Sequence, residues 1–332
     1  MSNQGEQRTI TIPAQFRITQ QEGLNAETLG HYLREILALC FRFVEFREGA
    51  VEQLVIADED RFGETVYEFQ RQAGRQQVYT DRGYFRAVTK NIPRELEGGV
   101  VTSTIVIDSR IFYRLAEMID QRVPLEEWDT NHQFWLHIFV NEFARSLDHA
   151  ERGDVGDTTE FNFEDEHDYL RISEHYAPAV ANNFFASALA APSVTPALHA
   201  KQISDWHDSA RDIVRPLLDR KTGGPAGWGP LMRTAAHGFW SLLTLYGQLV
   251  GYTVGNPSLG PIEPWPHAGD EAGVALEETA SVLRRLWELY PNVPEREEIT
   301  QQLLEPWRRL TASHGFIFNG DDDNESKSAE DE

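Results

Sequence analysis

Apolar residues recur at helical spacing along most of the chain, broken by a few short alternating or β-branched runs near its beginning. Residues 25–46 carry Leu33, Ile36, Leu37, Cys40, Phe41 and Val44 on one face and predict a helix with Asn25 as its N-cap. Residues 9–18, 51–57, 65–69 and 100–107 predict strands, the last set off by the Gly98-Gly99 break. Helical spacing then predicts helices over 109–120 and 129–150, the second started by Asp129 and stopped near Gly153. An acidic, irregular stretch covers 154–168, and a further helix runs over 172–191 in spite of Pro178. Past the proline-marked boundary at 192–196 the pattern is helical throughout, over 201–218, 231–252, 273–290 and 296–312, with Gly/Pro-rich connections at 223–230 and 255–269. These segments predict an α+β domain over residues 1–192, an all-α domain over 197–318 and a disordered acidic tail over 319–332.

Composition narrows the class. With 332 residues, 41% of them hydrophobic and 11% aromatic, the chain has material for packed cores without disulfides. The single cysteine, Cys40, lies within an apolar helical pattern and reads as a small buried hydrophobe. A net charge of −23 argues against a nucleic-acid partner, since binding phosphates needs clustered Lys and Arg. No secretion leader is apparent, and no run reaches the roughly 18 uninterrupted apolar residues of a membrane span. A cytoplasmic protein with no membrane partner is the expectation. Six of the eight tryptophans (Trp206, Trp228, Trp240, Trp265, Trp287, Trp307) fall in the C-terminal half, which suggests a bundle packed around indoles rather than a stacking site for ligands.

Residues 134–150, FWLHIFVNEFARSLDHA, form a helix apolar almost all the way round, interrupted by Asn141, Glu142, Arg145, Asp148 and His149. So apolar a helix is buried, and its polar groups need partners inside. Positions 141 and 145 lie one turn apart on the same face. At that spacing two side chains can grip one metal ion while residue 142 points at the bound water.

VNEFARSLD (140–148) resembles the VHEFAHxLD stretch of MtfA-type zinc peptidases and, more generally, the HExxH helix of gluzincins. In that family two histidines bind zinc, the glutamate between them is the general base, and a glutamate from a later helix is the third ligand. The resemblance places Asn141 and Arg145 at the histidine positions and Glu142 at the base position. A downstream E-x-[FY]-A signature is matched by Glu174-His175-Tyr176-Ala177, followed by Phe184-Phe185, which makes Glu174 the counterpart of the third ligand. The implied fold is a zincin-like N-terminal domain with a small mixed sheet and a buried active-site-type helix, the 100–107 run taking the place of an edge strand.

The chemistry that the resemblance carries is missing its metal ligands. Zinc takes imidazole, thiolate or carboxylate, and an arginine, charged at every reachable pH, repels it. Asn141 offers only a weak carbonyl oxygen. Without zinc the attacking water keeps its bulk acidity and Glu142 has nothing to deprotonate. The expectation is therefore a catalytically inactive, metallopeptidase-like protein that binds no cofactor and serves as a protein- or peptide-binding, regulatory module. Arg145 would bridge Glu142 and Glu174 in place of the zinc, or pair with Glu142 alone as in any buried helix. The competing expectation is a metal-dependent hydrolase with a rebuilt site among His137, His149, Glu174 and His175. The acids between 154 and 168 lack the calcium-loop positions and read as a solvated loop.

Overall fold

The computed structural model describes residues 12–17, 25–74, 81–82, 85–86, 88–153, 169–221, 228–263, 265 and 269–318. The acidic stretch 154–168, the acidic tail and residues 9–11 and 18 of the first expected strand lie outside them. The chain is α+β, a small mixed sheet with flanking helices followed by a helical region. Its described residues divide into two units: those up to 153 together with 189–198, and 169–188 together with 199–318.

The first unit begins with β1 (Ala14–Arg17), α1 (Ala26–Cys40), β2 (Val51–Ala57) and α2 (Phe62–Gln72). Two short strands, β3 (Asp81–Arg82) and β4 (Phe85–Arg86), precede β5 (Thr89–Glu95), β6 (Val101–Asp108), α3 (Ser109–Asp120) and α4 (Thr130–Arg152). The main sheet has the order β1-β2-β6-β5, with β1, β2 and β6 parallel and β5 antiparallel to β6. Alternation of side chains feeds two cores. Leu54, Ile56, Ile105 and Ile107 face α1, α3 and α4, while Val55, Ala57, Val106 and Ile92 face Phe62, Val66 and Phe69 of α2.

Three expectations are corrected here. Residues 65–69 are helical, within α2, because Phe62, Val66 and Phe69 repeat at helical spacing and bury that face on the sheet. The β-branched pair Thr65-Val66 does not outweigh that burial. The α1 helix stops at Cys40 and a turn follows, closed by Phe41 N–H to Leu37 O at 2.9 Å and Val44 N–H to Cys40 O at 3.2 Å. The apolar pattern runs on past that end because Phe41 and Phe46 both pack against Phe143 of α4. Finally, the 100–107 run is not an edge. All eight residues of β6 are buried between β2 and β5 with helices on both faces, the environment of a continuous apolar strand.

The outer strand is β5, TKNIPRE, whose polar make-up and proline hide it from pattern reading. Leu96 N–H donates to Val100 O and Asp108 N–H to Val88 O, so even-numbered residues bond to β6 and odd-numbered ones turn their backbone groups outward. Pro93 therefore sits where the ladder needs no N–H. The turn joining β5 to β6 uses Gly98 and Gly99 at φ 86° and 76°, a region that other residues enter only with strain.

The second unit is helical: α5 (Tyr169–Ala190, its last two residues counting with the first unit), α6 (Pro196–Lys221, from His199), α7 (Trp228–Gly255), α8 (Asp270–Leu289) and α9 (Arg296–Ser313). Its core is aromatic. Trp307 stacks on Trp240 with ring centres 5.3 Å apart and on Tyr169 at 6.4 Å, and the Trp240 indole N–H donates to Ser173 Oγ at 3.2 Å. Those contacts of Tyr169 and Ser173 group α5 with the helices after it. Among the described residues no helix is long and apolar enough to cross a membrane.

Candidate functional site

The α4 helix is framed by local chemistry at both ends. Asp129 caps it by accepting from the N–H groups of Asn131 and His132, both at 2.9 Å, and the His132 N–H holds its carboxyl below the usual carboxylate range. Gly153 ends it in the left-handed conformation at φ 65°. Between these ends Leu136, Phe139, Val140, Phe143 and Ala144 anchor the helix in the core of the first unit.

Glu142 is buried and faces β5. Thr89 Oγ donates to its Oε1 at 2.8 Å, while Oε2 has no hydrogen-bond partner and lies 3.9 Å from Arg145 Nε. The Arg145 side chain is 24% exposed, so this is a half-buried i, i+3 pair and not a fully enclosed one. Asn141 Oδ1 is buried without a hydrogen-bond partner. A second set of bonds ties the helix backbone to the same strand. Asn91 Nδ2 donates to Glu142 O at 3.1 Å and to Ser146 Oγ at 2.7 Å, and Ser146 Oγ donates to Glu142 O. Asn141, Glu142 and Arg145 thus stand together on α4. Glu174 is exposed on α5 in the second unit, and His175 is half-buried on the same helix, edge-on to Tyr176.

The histidines near the motif have other occupations. His137 Nδ1 is 2.8 Å from Ser193 Oγ, and the Ser193 hydroxyl donates to Ala190 O. With the hydroxyl proton directed to Ala190 O, Nδ1 is the donor and the neutral ring is the Nδ1–H tautomer; with the proton directed to Nδ1, the ring accepts. Only the second arrangement would suit a nucleophile, whose proton the imidazole has to accept. His149 is buried in the same helix. Among the described residues no group of three or more His, Cys, Asp or Glu side chains is placed to hold a metal ion.

Burial pushes the His137 pKa down to about 4 from an ordinary 6.5. The unfolded chain then binds the proton first, and stability falls as pH drops from 6.5 towards 4. The loss attributable to this ring is about 2 to 3 kcal/mol by pH 4.5. His199 and His314, both also lowered by burial, act in the same direction. A His137→Gln variant isolates the ring: in urea unfolding at pH 7 and pH 4.5, its stability relative to the parent should rise by that amount at the lower pH. An unchanged difference at the two pH values would refute the assignment.

Sequence reasoning missed three participants. Thr89 and Asn91 lie on the unrecognised strand β5. Arg152 falls just past the expected helix end at 150, yet it makes a close, buried charge pair. Its Nε and one terminal nitrogen meet the two Asp148 oxygens at 2.7 and 2.6 Å, with side chains 5% and 0% exposed. The i, i+4 spacing of Asp148 and Arg152 was the available signal. Cys40 is buried, and burial raises its thiol pKa, so it is unreactive. No family model matches the chain, and no curated protein or solved structure matches it either.

Proposed function

We propose that this chain is a catalytically inactive relative of zinc peptidases that works in the cytoplasm as a protein- or peptide-binding, regulatory module. The observation that carries the reading is Arg145: a guanidinium 3.9 Å from Glu142, at the position where the resembled family has its second zinc-binding histidine. A cation fixed there opposes entry of a dication, and the Thr89 hydroxyl already engages the carboxylate that would serve as base. Beside this helix runs β5, with Thr89 and Asn91 turning backbone groups outward, and an extended peptide would pair along that edge.

Zinc analysis of protein purified without chelator tests the chemistry. The expected content is below about 0.1 zinc per chain, with no cleavage of casein; a full equivalent of tightly bound zinc overturns the reading. Asn141→His combined with Arg145→His restores two imidazoles one turn apart and should raise the content towards about one zinc per chain. If the double variant takes up none, the resemblance of residues 140–148 to the peptidase helix is coincidental. For the binding half, peptides selected from a random display library should lose affinity when Thr89→Pro removes an outward N–H. Selected peptides indifferent to that change would place recognition elsewhere.

A further inference from the structure

We draw no further inference here: the strongest candidate, the outward backbone edge of β5 beside α4, belongs to the site already described, and nothing in the structure shows what covers it.

Discussion

Replacing Arg152 by alanine should lower the stability of the protein by about 3 to 5 kcal/mol, the usual consequence of stripping one partner from a buried ion pair. Asp148 is wholly buried, and both of its oxygens are engaged by the Arg152 fork at 2.7 and 2.6 Å. Without the guanidinium the buried carboxylate loses the fork that engages both of its oxygens, and the folded state is weakened. Arg145→Ala is the contrast. Its contact with Glu142 is longer, at 3.9 Å, outside hydrogen-bond reach, and its side chain is 24% exposed against 5% for Arg152, so a smaller loss of about 1 kcal/mol is expected. Replacing both members of the buried pair with apolar residues, Asp148→Leu with Arg152→Met, should recover much of the single-variant loss, since the buried carboxylate is removed together with the guanidinium. Urea unfolding of the four proteins at pH 7 decides the matter. An Arg152→Ala loss no larger than that of Arg145→Ala would mean that the fork contributes little.

Gly251→Ala should cost about 3 kcal/mol, although alanine is the better helix former by about 1 kcal/mol. A Cβ at 251 would lie 2.5 Å from Phe184 O, 2.8 Å from Ser187 Cβ and 3.0 Å from Ala188 N. Two of those atoms are backbone and cannot swing aside, so α5 and α7 would have to move apart where they now touch. Gly247, one turn earlier, is tight as well, with Val180 Cγ1 at 3.1 Å and Val180 O at 3.2 Å. Gly273 on α8 is the control. Nothing lies within 4 Å of a Cβ there, so Gly273→Ala should be neutral or stabilise by up to about 1 kcal/mol. Thermal unfolding of both variants checks the pair, and a stable Gly251→Ala protein would show that the two helices are not held at backbone contact.

Where a segment's structure rests on local chemistry, it was legible in the sequence. Asn25 and Asp129 cap their helices with side-chain oxygens that reach N–H groups two or three residues on, and Gly153 takes the left-handed conformation that ends α4. The Ser109–Asp120 helix carries its own amphipathic stripe, and its bounds coincide with those expected. The candidate site was legible to the same extent: Asn141, Glu142 and Arg145 share α4, and Glu142 and Arg145 form the pair that their spacing implies.

What the sequence determined by itself was the helices other than α2, the apolar α4 with its polar interruptions and the α+β class. These follow from side-chain periodicity and capping groups that act within a few residues. Tertiary structure decided the rest. It made residues 65–69 helical, because burial of Phe62, Val66 and Phe69 against the sheet outweighed local β preference. It placed the polar segment 89–95 at the sheet edge, where pairing with β6 supplies the partners that no pattern encodes. It also assigned the charges. Arg145 and Arg152 stand on the same helix with acids at helical spacing, but only the packing around α4 encloses Arg152 and leaves the Arg145 side chain 24% exposed, and the strength of a charge pair depends on the surrounding dielectric.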